Sequence, residues 1–323
     1  MKDVYFLIVN TLLFAIPLLI VALGGMFSER SGIVNIALDG TMIFGAFTGI
    51  VFINIIQSGD AAVNGQVLLV LALLVAAAAG VIVSLAHAFA SINMKADQII
   101  SGTAINMMAP AFAIFVGRAI TTTGVQQVQF KRAWFLIKKV PVLGDIPVLG
   151  NMLFRDAFIT TYIGLVILAA AWVVLYKTKF GLRLRACGDH PQAADSAGIS
   201  VYRMRYAGVM ISGALAGIGG VVFVIPTSTE FNADVAGYGF LALAVLIFGQ
   251  WKPLRIFAAA FFFGLMKTVA AGYSSLPLLK DISIPSNFYK MIPYIITLVV
   301  LAFTSRKSQA PRAAGVPYDK GGR

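Results

Sequence analysis

Apolar segments of about twenty residues, the length of a helix that crosses a bilayer, follow one another almost without a gap from residue 4 to residue 304. Their boundaries read as 4–27, 33–56, 66–90, 98–120, 157–176, 206–226, 238–250, 254–272 and 289–304, nine segments of which 238–250 is short. Only 12% of the 323 residues are charged, against about 25% in a soluble domain, and mean hydropathy is +0.88. A water-soluble globule is excluded. The expected fold is an all-α polytopic membrane protein of about nine transmembrane helices, with a single membrane domain over 1–305 and a basic tail at 306–323. The first segment begins at residue 4, with no basic leader beyond Lys2 and no small-residue cleavage site, and reads as a retained helix rather than a signal peptide.

Net charge is +12, yet no basic stripe with interleaved aromatics is present and the excess lies in a few short loops, which is the positive-inside pattern and not a nucleic-acid footprint. Segment 177–205 carries Lys177, Lys179, Arg183, Arg185, Arg203 and Arg205 against Asp189 and Asp195, and the tail is basic as well, so both are expected on the cytoplasmic side. Alternation then puts 91–97 and the Lys252/Arg255 turn inside, 57–65 and 227–237 outside, and the N-terminus outside. Loop 121–156, assigned outside, carries Lys131, Arg132, Lys138, Lys139 and Arg155; long loops obey the charge rule weakly. One cysteine, Cys187, leaves no intramolecular disulfide, and His87 and His190 are too few for a metal cluster.

Small residues recur every fourth position at Ala72, Ala76, Gly80 and Ser84 and at Gly208, Ser212, Ala216 and Gly220, each set lining one helical face that a second backbone can approach closely. Pro17 and Pro110 fall inside spans, where each removes a backbone hydrogen bond and is expected to kink or break its helix. In 24–47, glycines and the charged pair Glu29/Arg30 interrupt two apolar segments, so a broken helix is expected near 24–40. Such breaks are tolerated in a membrane only along protein or a cavity and often mark a substrate site. Asn35 and Asp39, four apart, are expected on one face of the next helix. Asp39 either serves the substrate, satisfies neighbouring backbone, or pairs with Arg30 as a staple. Asn10 and Asn106 are further polar residues inside spans, each suited to an interhelical hydrogen bond.

Within 180–206, Pro191 is placed to start a short helix with Asp189 as its cap, and Gly198 to stop it. Gln192, Ala193, Ala194, Asp195, Ser196 and Ala197 give barely two turns. Such a helix is either an ordinary solvated loop or a docking element. There is no GxGxxG, no GxxxxGK[ST] and no HExxH, so the chain is expected to be no enzyme, and any ATP hydrolysis must belong to another chain.

Four stretches, SERSGIVNIALDG (28–40), MKADQIISGTAINMMA (94–109), GLRLRACGDHPQAADSAGISVYRMRY (181–206) with SGALAGIGG (212–220), and the tail APRAAGVPYDKG (310–321), together resemble the membrane permease subunits of bacterial ABC importers for nucleosides and simple sugars, in the group that includes ribose and branched-chain amino-acid permeases. The resemblance implies a plasma-membrane transporter subunit that works with a second permease, as a homo- or heterodimer. It also implies a cytosolic ABC ATPase that binds ATP–Mg, there being no cofactor in this chain, and a substrate-binding lipoprotein outside. The 189–198 segment is similar to the coupling helix of such permeases, with Gln192, Ala193, Ala194 and Gly198 on its pattern and Gln in place of the leading Glu. Arg183, Arg185, Arg203 and Arg205 then either support the ATPase contact or meet anionic lipid headgroups. A nucleoside presents uncharged hydroxyls and an aromatic base, which Asn35, Asp39 and Asn106 with Phe44 and Phe47 could serve. A sugar would use many of the same groups, and the two phenylalanines also suit core or lipid.

Overall fold

The computed structural model describes residues 2–59, 63–121, 124–139, 155–272 and 309–320, together with the isolated positions 291, 295 and 298. Ten α-helices run through them: α1 (Lys2–Arg30), α2 (Leu38–Ser58), α3 (Gly65–Ala88), α4 (Gln98–Ile120), α5 (Ile159–Lys177), α6 (Lys179–Asp189), α7 (Pro191–Ser196), α8 (Val201–Thr227), α9 (Tyr238–Phe248) and α10 (Pro253–Gly272). A π-helical turn, Phe89–Asn93, continues α3. Seven helices among the described residues are long and apolar enough to cross a membrane. The expected span 238–250 is the 11-residue α9, too short to cross on its own, and the expected span 289–304 lies outside the described residues.

α1 and α8 form the centre. Leu18 to Leu23 of α1 are at most 1% exposed, and Val221, Val222 and Ile225 of α8 are equally buried. Small residues allow this. Gly80 of α3 lies against the Gly213 backbone of α8, and Gly217 of α8 against Ala76 of α3, so close that a Cβ on either glycine would overlap its neighbour. The second stripe read from the sequence, Gly208 to Gly220, turns to other partners: Ser212 meets Gly24 of α1, and Gly220 meets Met42 of α2. α8 therefore has two small-residue faces, and Gly213/Gly217, four apart, form the one that receives α3. Backbones in such contact gain dispersion and weak hydrogen bonding where lipid gives no hydrophobic drive. α1 and α4 run unbroken through Pro17 and Pro110, so neither proline breaks its helix.

The connections gather at two ends. At one, the segment after α1, the turn before α4, the α6–α7–α8 connections, the α9–α10 turn and residues 309–320 touch one another, as in the hydrogen bonds Gly315 N–H to Gly32 O (3.1 Å), Ala313 N–H to Gly188 O (2.9 Å) and Gln309 N–H to Gln250 Oε1 (2.9 Å). The tail is thus not a free extension: its residues 309–320 are packed on the bundle. At the opposite end, two short antiparallel ribbons cap the helices. β1 (Val128–Gln129) pairs with β4 (Glu230–Phe231), and β2 (Leu136–Lys139) pairs with β3 (Arg155–Phe158), with Leu136 opposite Phe158.

Candidate functional site: the broken segment, the short helix and the cleft at the β1–β4 end

Helix α1 carries Gly24 and Gly25 in its interior, packed on Ser212 and Leu38, and the chain leaves helical geometry only at Ser31. The break is therefore 31–37, shorter than the 24–40 expected, and Asn35 lies in it rather than on the helix that carries Asp39. The linker is buried, so every polar backbone group needs a partner. Side chains from three helices, and Asn35 of the linker itself, supply several of them. Ser28 Oγ donates to Ile33 O (2.8 Å), Gln98 Oε1 accepts from Val34 N–H (2.7 Å), and His87 Nε2 donates to Val34 O (3.2 Å) while its Nδ1 lies 3.0 Å from Ser101 Oγ. Asn35 Oδ1 accepts from Ala37 N–H (3.1 Å) and its Nδ2 donates to Ser212 Oγ (2.9 Å). Asn106 reads both sides of the next turn, donating to Ile36 O (2.9 Å) and accepting from Gly40 N–H (2.7 Å). His87 and Gln98 were not singled out in the sequence. A lone histidine in an apolar span and a glutamine at a helix start are ordinary residues there, and only the fold shows that they hold the same linker residue.

Asp39, in the first turn of α2, accepts the Gly239 N–H at 2.9 Å. Gly239 is in the first turn of α9, so two helix N-termini meet at this carboxylate, which their dipoles favour. Of the three alternatives open to Asp39, the bond made is the one to neighbouring backbone, and the pairing with Arg30 does not form. Arg30 Nη2 instead donates to Trp251 O (3.2 Å), and Trp251 Nε1 donates to Glu29 Oε2 (2.6 Å). Glu29 and Arg30 thereby fasten the α9–α10 turn, where Gln250 and Trp251 both adopt positive φ (49° and 53°), a conformation that costs a non-glycine residue about 1–2 kcal/mol. Phe44 and Phe47 are buried and pack on Phe112, with ring centroids 5.1 and 6.2 Å away.

The short helix is α7, with Pro191 at its first position. Asp189 does not cap it: Asp189 closes α6, and the residue before α7 is His190, which makes no side-chain cap bond. The stop is as the sequence implies. Gly198 takes φ +80°, its N–H reaches Asp195 O (2.8 Å), and Ile199 N–H reaches Ala194 O (3.0 Å). Gln192, Ala193, Ser196 and Ala197 are exposed, whereas Ala194 faces inward with Cys187, Val201 and Tyr318. Arg183 and Arg203 are exposed, and Arg185 lies over the Tyr176 ring (5.1 Å). Arg205 is 1% exposed and so cannot reach a partner subunit or a lipid headgroup as expected. Its Nη1 donates to Val316 O (3.1 Å), and its guanidinium lies 5.9 Å from the Tyr318 ring centroid.

At the opposite end, a cleft of about 560 Å³ is lined by Asn54, Gln57, Ser58, Gln129, Phe130, Lys131, Thr229 and Glu230. Its walls are tied together by Asn54 Nδ2 to Gln129 O (2.8 Å) and by Lys131 N–H to Gln57 Oε1 (2.7 Å). Its lining offers amide and hydroxyl groups and one charge of each sign, with no net charge. The signal for it in the sequence is the polar run at the end of the second span, Asn54, Gln57 and Ser58.

The permease-component model of branched-chain amino acid transport systems matches residues 7–301. The guanosine ABC transporter permease protein NupQ of Bacillus subtilis is 46% identical over 314 residues, covering 97% of this chain and 96% of NupQ. The nucleoside ABC transporter permease protein NupC of Lactococcus lactis is 40% identical, covering 97% and 96%. The glucose ABC transporter permease protein TsgB13 of Haloferax volcanii is 24% identical, covering 95% of this chain and 78% of that protein. No solved structure matches the chain. A match over nearly the whole length, on a bundle of membrane-length helices, identifies a transporter subunit rather than an enzyme, and the chain belongs to the permease-component family of branched-chain amino acid transport systems.

Proposed function

We propose that this chain is the permease subunit of an ATP-driven importer of nucleosides in a bacterial plasma membrane. The observation that carries the substrate is the 46% and 40% identity, over 97% of the chain, to relatives named for guanosine and nucleosides. The cleft at the β1–β4 end agrees in chemistry, since ribose hydroxyls and a heteroaromatic base are recognised by neutral donors and acceptors with one apolar wall. A second reading, import of a simple sugar, is favoured by the likeness to a glucose permease and would use the same polar groups.

In this reading nine segments cross, α9 doing so together with the 228–237 connection that precedes it, and they place the N-terminus outside and the C-terminus in the cytoplasm. The clustering of the basic 178–205 connections with residues 309–320 at one end of the bundle supports that orientation. Helix α7 docks a separate ATPase chain that holds ATP–Mg, a second permease completes the pathway, and a lipoprotein outside delivers solute to the cleft. Closure of the ATPase dimer moves α7, and the bundle exchanges between two states. An ion-coupled transporter is disfavoured, because Asp39 is committed to the Gly239 N–H.

Uptake of radiolabelled guanosine, uridine and ribose by cells with and without the gene tests the substrate. Gene-dependent uptake of a nucleoside, undiminished by excess ribose, is expected. Gene-dependent uptake of ribose alone would replace the nucleoside reading by the sugar one.

A further inference from the structure

Residues 309–320 touch five of the described segments at their end of the bundle. Gln309 N–H bonds Gln250 of the α9–α10 turn, Ala313 N–H bonds Gly188 at the end of α6, and Gly315 N–H bonds Gly32 O in the linker. Val316 O accepts from Arg205 at the start of α8, and Asp319 pairs with Lys95 before α4 (2.9 Å). Tyr318 is buried with Cys187, Ala194 and Val201 and stands edge-on to Tyr202 (5.7 Å), so its ring packs beside Ala194 of α7. Arg205 is the keystone. It is buried, spans from the Val316 carbonyl to the Tyr318 ring, and rests on Gly32, where a Cβ would stand 3.0 Å from its Nη2. Nε and Nη2 have no hydrogen-bond partner among the described residues. A buried cation is costly, and the C-terminal end of α1, whose dipole is negative, lies beside it.

A helix of six residues has no stability of its own, so α7 sits where its neighbours hold it: α6 and α8 on one side, Tyr318 on the other. From Tyr318 the contacts run through Arg205 and Gly315 to Gly32, and from Gly32 along the chain to Asn35 and α2. We propose that residues 309–320 are a strap that makes α7 and the 31–37 linker one mechanical unit, with Arg205 and Tyr318 as positioning residues that transmit movement of α7 to the break in the membrane bundle. This rests on the reading of α7 as the ATPase-docking helix.

Cys187 is the single cysteine and lies under Tyr318, so its labelling by N-ethylmaleimide reports whether the strap is seated. In the permease–ATPase complex reconstituted in liposomes, Tyr318→Ala is expected to speed labelling about ten-fold, as local opening requires. It is also expected to raise the ATP hydrolysed per guanosine transported by about five-fold, within the range by which coupling residues act, while Tyr318→Phe restores both. Uptake and hydrolysis that fall together, at an unchanged ratio, would reduce the strap to a stabilising surface segment and overturn the proposal. The wild-type complex gives a test that needs no variant. Labelling should stay equally slow with ADP and with ATP plus vanadate, because the unit moves whole, and labelling that opens with ATP would overturn it. Failure of the docking reading is seen separately, in an Ala193→Glu complex that still binds its ATPase and transports normally.

Discussion

Asp39 and Gly239, 200 residues apart, meet backbone against side chain: Asp39 Oδ1 accepts the Gly239 N–H at 2.9 Å, and a Cβ on Gly239 would overlap the Asp39 Cα. The contact joins the start of α2, just past the break, to the start of α9. Asp39→Asn keeps an acceptor and should retain uptake and thermal stability in detergent. Asp39→Ala leaves a buried N–H unpaired and should cost about 1–3 kcal/mol. Gly239→Ala should be worse than either, since the two backbones cannot stay in place. Loss of uptake in Asp39→Asn at full stability would instead point to a titrating carboxylate.

Asn106 holds the linker by donating to Ile36 O and accepting from Gly40 N–H. Asn106→Leu, close in volume, removes both bonds and should lower stability by about 2–4 kcal/mol, two buried polar groups being left without partners. Thermal unfolding of the purified permease measures it. A Leu variant as stable as wild type would mean that the linker is not held this way.

Exposure divides the two central alanines of α7. Ala193 is exposed and Ala194 is 4% exposed against Cys187 and Tyr318. Ala193→Glu should leave the fold intact and weaken co-purification of the ATPase by about ten-fold, the size of a single interface anchor. Ala194→Glu buries a charge and should lower the melting temperature first. Equal behaviour of the two in the melting assay would contradict the assigned faces.

Trp251→Phe removes the indole donor from Glu29, whose carboxylate is 8% exposed. The variant should lose about 1–3 kcal/mol. Changing the carboxylate as well, in Glu29→Gln/Trp251→Phe, should recover part of that loss, because the unpaired charge is gone. No recovery in the double variant would show that Trp251 acts through packing alone.

Burial pushes the Cys187 thiol above its ordinary value, and the nearby Arg205 guanidinium offsets this in part. Only the thiolate reacts with a maleimide, so the labelling rate should rise with pH along a curve whose midpoint lies above that of free cysteine. Seating the thiol in water, as in Tyr318→Ala, should move the midpoint down. A wild-type midpoint at or below the free value would contradict the buried position.

The apolar segments made the membrane bundle legible, since period and length are local properties, and Gly198 and Pro191 fixed the short helix for the same reason. The break near Ser31 was legible as a break but not in its extent, because Gly24 and Gly25 look like helix breakers and are in fact packing surfaces for Ser212 and Leu38. The role of Asn35 was misplaced onto α2, as spacing of four implies a shared face only where the helix has begun. Partners more than a hundred residues away were not legible at all: Glu29 with Trp251, Asp39 with Gly239, and Arg205 with Val316. Arg205 looked like one basic loop residue among four, and nothing in its local sequence marks it as buried.

Energy coupling is the central claim, and guanosine uptake in cells whose partner ATPase binds but cannot hydrolyse ATP tests it most directly. The account predicts that uptake falls to the level of cells lacking this permease. Uptake that persists without ATP hydrolysis would contradict it.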